Sequence, residues 1–242
     1  MNTATDMAVV AATNTTETAF AVVPETTLPG GIIVPAFEVA RYLASRDDSG
    51  ALQISADAMP WVEVDYHAAR AACAAAGYKL ITELQALALA YNVATQPANW
   101  TDGAVGEGKL FQGLRSGDFD EAQAASYVPA SDDERRWFIL SNGERVCDVA
   151  GNAYTWVFDD VQGDSDGLVA RAFAKDSPSI TTATYPSMQR GAGWQPRAGS
   201  DWSGYALIRG GCFGSGDYAG VFYLNGGWPG YAGVRVGFRC TK

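Results

Sequence analysis

The chain has 242 residues, a formal net charge of -10, 48% hydrophobic residues and 12% aromatic residues. This is the composition of a globular chain, long enough for one large domain or two small ones and not of a disordered type. Its acidic balance argues against nucleic acid or an anionic membrane as the main partner. No apolar run approaches the roughly 20 residues that span a bilayer.

Residues 1–28 are rich in Thr, Ala and Val and carry few charges. They are expected to form an N-terminal arm or tail ahead of a single domain over 29–242. The arm lacks a basic segment and does not read as a secretory signal; cell surface, virion and cytoplasm all stay open. "GGIIVPAFEVARYLAS" then reads as strand segments around Pro35, and "SRDDSGALQISADAMPWVEVDY" as a loop that becomes extended. Asp65 is a good N-cap for "YHAARAACAAAG", a helix closed by Gly77. Thr82 and Gln85 form a capping box for a second helix, "ELQALALAYNVAT", whose Leu84, Leu87, Leu89 and Tyr91 predict burial. From residue 97 onward no long helical period appears, and short apolar runs alternate with Gly, Asp, Ser and Pro. Asn142-Gly143, between Trp137–Leu140 and Val146, predicts a hairpin with a type I′ turn. Two early helices followed by short strands and much loop give an α+β domain.

Few of the usual catalytic patterns are present. "GAVGEGK" at 103–109 imitates a phosphate-binding loop, but Leu110 stands where Ser or Thr is needed and no helix follows. "DDVQGDSDG" gathers Asp159, Asp160, Asp164 and Asp166, yet lacks the closing Glu of a calcium loop and reads as a solvated acidic loop. The one histidine, His67, lies in the first helix, where an ordinary surface or packing role is expected. The four cysteines, Cys73, Cys147, Cys212 and Cys240, form no CxxC pair, so a zinc site is not expected. Cys73 and Cys240 admit two readings, a bridge closing a very long loop or two buried free thiols.

Several stretches together resemble one family. "PWVEVDYHAARAACAAAGYKLITELQALALA", "DVAGNAYTWVFDD", "RGGCF" and "VGFRC" are similar, in order, to segments of formylglycine-generating-enzyme-type domains. The resemblance implies a C-type lectin fold with long loops, and with it a Cys73–Cys240 bridge. The oxidases of the family carry two cysteines shortly after "RGGS"; here Cys212 takes the serine position and no second cysteine follows until Cys240. Its iron-dependent members need several histidines. The family calcium site is altered as well, because Thr155 stands where a ligand Glu precedes Trp156; Asp148 and carbonyls near Gly151 are what remain of it. No enzymatic activity, no cofactor and no metal are therefore expected.

A third branch fits better: the variable proteins of diversity-generating retroelements, whose C-terminal region is rewritten at adenines. "RGG", "SG", "AGVF", "L", "WP" and "VGFRC" resemble its fixed frame, within a variable region at about 206–240. The variable, ligand-binding positions would be Cys212, Phe213, Gly214, Asp217, Tyr218, Tyr223, Asn225, Gly226, Gly227, Gly230, Tyr231, Ala232, Gly233, Val234 and Arg235. Randomising the adenines of an AAC codon cannot yield Glu, Lys, Gln, Met or Trp. From Cys212 to Arg235 the first four are absent, and the single Trp, Trp228, falls in the frame. Gly, Ser and Asn beside Tyr also make up adaptable binding surfaces. Tyr218, Tyr223 and Tyr231 are expected as anchors, and Asp217, Asn225 and Arg235 as polar contacts. Val221, Phe222, Leu224, Trp228, Pro229 and Phe238 are expected as scaffold. The function implied is non-enzymatic display of a diversified surface to a protein or cell-surface ligand. A formylglycine-generating-type oxidase using Cys212 is the alternative, and a lectin-like assembly module of a phage or cell surface is a third.

Overall fold

The computed structural model describes residues 18–242. In chain order the first strands are β1 (Phe20–Val23), β2 (Thr26–Thr27), β3 (Ile33–Val34), β4 (Phe37–Ala40), β5 (Ser45–Arg46) and β6 (Leu52–Gln53). Helix α1 (Tyr66–Ala75), β7 (Lys79–Leu80) and α2 (Glu83–Ala94) follow. The second half holds β8 (Trp137–Ile139), β9 (Arg145–Cys147), β10 (Tyr154–Val157) and a single-turn helix α3 (Pro178–Thr181). It ends with β11 (Ala206–Arg209), β12 (Leu224–Gly227), β13 (Val236–Phe238) and β14 (Cys240–Thr241). The α+β class holds, with two main helices, short and mostly antiparallel strands, and long loops.

The helix ends follow their sequence signals. Asp65 accepts a hydrogen bond from the Ala68 amide at 2.8 Å, and Gly77 takes the left-handed conformation just past α1. Thr82 and Gln85 complete a reciprocal capping box on α2. Between β8 and β9 the turn is not type I′. Only Gly143 has positive φ, Gly143 N–H donates to the Leu140 carbonyl, and Leu140 N–H to that of Glu144. This is the longer hairpin loop in which one left-handed glycine closes a type I-like turn.

Two four-stranded sheets organise the chain. The first runs β1-β4-β14-β7 and is antiparallel, joining both ends of the described chain. The arm expected over 1–28 is only partly described. Residues 1–17 lie outside the described residues, while 20–27 carry β1 and β2 of the domain. The second sheet runs β12-β11-β10-β13, antiparallel except for the parallel pair β10–β13, which sets Tyr154 beside Val236 and Trp156 beside Phe238. Helix α2 buries Leu87, Ala88, Leu89, Ala90 and Val93 in one large core with Phe138, Val157, Leu207, Phe222 and Leu224. Helix α1 buries Tyr66, Ala69 and Cys73 in a second core with Trp156, Ile208, Phe238 and Cys240.

Where the resemblance implies a Cys73–Cys240 bridge, the two sulfurs face each other at 3.1 Å as buried free thiols. Their mutual hydrogen bond and burial push the Cys73 thiol well above its ordinary pKa. Burial does the same to Cys147.

Candidate ligand-binding surface

The C-terminal third rests on Arg209, the last residue of β11. Its guanidinium donates to both carboxylate oxygens of Glu83 at 2.7 and 2.5 Å, and both side chains are buried. It also reaches the carbonyls of Phe222 and Ser179. One arginine thus ties β11 to the first turn of α2, to α3 and to the turn before β12. The two glycines after it have φ near +90°, which a residue with a side chain rarely adopts. A Cβ on Gly211 would lie 2.7 Å from Ala219, and one on Gly220 would lie 2.3 Å from the Gly193 amide nitrogen. The "RGG" and "AGVF" runs are therefore fixed by close backbone approach and by the buried Val221 and Phe222.

The loop from Trp228 to Arg235 is held in another way. The carbonyls of Pro229, Gly233 and Arg235 accept hydrogen bonds from the amides of Tyr66, Glu63 and Tyr154 at 3.0, 3.1 and 2.8 Å. Every residue type, proline included, supplies a backbone carbonyl, so these tethers do not depend on side-chain identity. The side chains turn outward: Tyr231 is 54% exposed, Trp228 65%, and Ala232, Val234 and Arg235 are exposed too. Tyr218, on the neighbouring 216–218 turn, is 55% exposed.

Beside the 216–218 turn lies an open cavity of about 330 Å³, lined by Tyr154, Trp194, Gly214, Ser215, Tyr218, Tyr223 and Asn225. Its floor is aromatic. Tyr223 stacks on Tyr154 with centroids 5.5 Å apart, and Trp194 leans on Tyr223 at 6.4 Å and stacks on Trp202 at 6.3 Å. Its polar atoms are neutral. Ser215 Oγ donates to Tyr154 Oη at 3.1 Å, and Asn225 Nδ2 to Tyr223 Oη at 3.1 Å. Burial raises the Tyr154 phenol well above its usual pKa, so it stays protonated. Charge sits around the cavity: Asp217 is 4.0 Å from Arg115, and the Arg235 guanidinium lies over the Phe213 ring at 5.4 Å.

The residues expected to vary divide into two groups. Gly214, Asp217, Tyr218, Gly230, Tyr231, Ala232, Val234 and Arg235 are exposed, and Asn225, Gly226 and Gly233 half-buried. Cys212, Phe213 and Tyr223 are buried. Cys212 and Phe213 pack inside the domain, and Cys212 meets the Ser215 hydroxyl and the Tyr154 phenol. Tyr223, 4% exposed, is a cavity floor rather than a projecting anchor. Gly227 is half-buried, but a Cβ on it would meet the Trp156 ring at 2.7 Å, so this position has no room for a side chain. Conversely, Trp228, expected as scaffold, is exposed and meets Tyr205 edge-on at 6.3 Å. The sequence reading missed Tyr154 and Trp194 and gave Ser215 only as part of the fixed frame. For Trp194 the available signal was a lone aromatic in the Gly/Pro-rich "GAGWQPR" loop; nothing local marks Tyr154.

The remaining candidates carry structure. Both Asp148 oxygens are engaged by Arg136, at 2.8 and 2.6 Å, and one also by Asn152 at 2.9 Å. The acidic loop is not simply solvated: Asp159 and Asp164 cap their own turns, and Asp160 accepts from the Leu84 amide at the start of α2. Among the described residues no group of three His, Cys, Asp or Glu side chains is placed to hold a metal, and no helix is long and apolar enough to cross a membrane.

No family model matches the chain, and no curated protein does. Solved structures similar to it include PvdO from Pseudomonas aeruginosa, with 16% identity over 92% of this chain and 91% of that one and a TM-score of 0.41. Treponema denticola variable protein 1 shows 13% identity over 87% and 86%, with a TM-score of 0.47. The P3c variant of the Major Tropism Determinant shows 16% identity over 92% of this chain and 54% of that one, with a TM-score of 0.43.

Proposed function

We propose that this chain is a non-enzymatic display module of the retroelement variable-protein type. It binds a protein or cell-surface ligand through the exposed side chains between Gly214 and Arg235. The observation that carries this reading is the division of labour within one stretch. Backbone carbonyls and buried residues hold the 209–240 segment in place, while Tyr218, Tyr231, Val234, Asp217 and Arg235 point to solvent around an aromatic cavity. An exposed tyrosine in the cavity wall, Tyr218, a second exposed tyrosine, Tyr231, and neutral hydrogen-bonding groups on the cavity floor are the materials of binding hot spots. Side chains that hold nothing in place can change without unfolding the domain.

The oxidase alternative is disfavoured by Cys212. It is buried, it touches Ser215, and no second cysteine lies near it in sequence. Incubation with a sulfatase-type Cys peptide is expected to give no aldehyde; aldehyde formation would restore that reading. The display reading is tested in the genome. It expects a reverse-transcriptase gene nearby, with a near-copy of the bases encoding residues 206–240 that differs at adenines. A locus without either contradicts it.

A further inference from the structure

A second concavity shares no residue with the surface described above. It runs along the outer face of α1, has a volume of about 510 Å³, and carries the one histidine of the chain at its edge. His67, Arg70, Ala71 and Ala74 follow one another at helical spacing and line one side. The two alanines leave the room; Leu80 and Phe158 close the apolar wall opposite. No Asp or Glu lines it, whereas Arg70 and Lys79 do, in a chain whose net charge is -10.

Arg70 is already set in position. It donates to the Asp166 carbonyl at 2.7 Å, and its guanidinium lies over the rings of Phe158 and Tyr66 at 5.1 and 5.6 Å. Its nearest carboxylate oxygen, on Asp166, is 3.5 Å away and the side chain there is 68% exposed, so the cation is only partly neutralised. Lys79 is exposed and makes no ion pair among the described residues. An apolar slot rimmed by one preset arginine and one exposed lysine is complementary to a molecule with an apolar body and an anionic head.

We propose that this groove binds a soluble amphiphilic anion, its hydrocarbon lying along Ala71, Ala74 and Leu80 and its acidic head between Arg70 and Lys79. The site is independent of the display surface.

The probe is decanoate below its micelle concentration, titrated calorimetrically into the full chain at low ionic strength. One saturable site is expected, with no binding of decyltrimethylammonium. Lys79→Glu with Arg70→Gln is expected to weaken decanoate at least tenfold, and Ala74→Trp, which fills the slot from an exposed position, to abolish it. Circular dichroism checks that each variant is folded. If Ala74→Trp does not fold, Ala71→Phe fills the same slot. Tyr218→Ala with Tyr231→Ala leaves decanoate affinity unchanged, so failure of this site and failure of the display surface are distinguishable. Equal binding of the cationic probe, undiminished binding in the slot-filled variant, or binding only to phosphatidylglycerol vesicles and not to decanoate would each overturn the proposal.

Discussion

Replacing the tyrosines of the C-terminal region one at a time separates frame from surface. Tyr223 is 4% exposed, its ring stacks on Tyr154 and touches Trp194, and its hydroxyl accepts from Asn225. Truncation of a buried aromatic to Ala costs about 3–5 kcal/mol. The open cavity beside Tyr223 lets water and neighbouring rings enter the space, which places Tyr223→Ala at the lower end, about 3 kcal/mol. For a domain of this size each kcal/mol moves the melting point by about 2–4 °C, so a loss of about 6–12 °C is expected. Tyr218 and Tyr231 are 55% and 54% exposed. Tyr218→Ala and Tyr231→Ala each remove little buried area and are expected to stay within about 0.5 kcal/mol, or about 2 °C. Differential scanning calorimetry on the three single variants reads this directly. Equal losses at all three positions would refute the assignment of Tyr218 and Tyr231 to the surface, and no loss at Tyr223 would refute its place in the floor.

Other variants probe the frame. Arg209→Met leaves Glu83 buried and unpaired and is expected to cost about 3–5 kcal/mol in urea unfolding, with much of that recovered in Glu83→Leu/Arg209→Met. Gly220→Ala forces a Cβ against the Gly193 backbone and is expected to cost about 1–3 kcal/mol, whereas Gly230→Ala, at an exposed position, is expected to change stability by under about 0.5 kcal/mol. Asp159 has one carboxylate oxygen buried without a partner, and burial, opposed by turn amides, raises its pKa above 3.8. A raised acid pKa means that the folded state holds the proton more tightly. Its destabilising effect is therefore absent below about pH 3.8 and grows as pH rises through the folded value. Asp159→Asn should remove that part of the pH dependence, seen as a flatter unfolding free energy above pH 4. For the facing thiols, diamide treatment should leave two titratable cysteines of four in the denatured chain, and the Cys73→Ser variant should show three. Four thiols after oxidation would mean that the pair does not close.

Local chemistry made the helices legible. Asp65, Gly77 and the Thr82–Gln85 box act within one turn of chain, so their meaning does not depend on the rest of the fold. The turn at Asn142-Gly143 was half legible: the glycine marks a left-handed residue, but loop length is decided by how β8 and β9 pair. The second sheet was not legible. β12 is "LNGG", without a β-branched residue, and it forms because β11 offers an edge. The parallel pairing of β10 with β13 joins Tyr154 to Val236 across the sequence and leaves no local trace. The same reason governs the site. Alternation of fixed and free residues after Arg209 is what the family resemblance implied, but which tyrosine faces inward depends on Tyr154 and Trp194, which arrive from distant segments. Trp228 shows the converse: a residue outside the expected variable set is exposed because its loop is tethered by Pro229 and Gly233 carbonyls and not by its ring.

The most direct measurement is the sequence of this gene in many independent isolates of its host. Substitutions are expected to concentrate at positions 214, 217, 218, 225, 230–232, 234 and 235, with the buried positions 209–213, 219–224 and 236–240 nearly unchanged. Substitutions spread evenly over exposed and buried positions, or absent from the exposed set, would contradict the account.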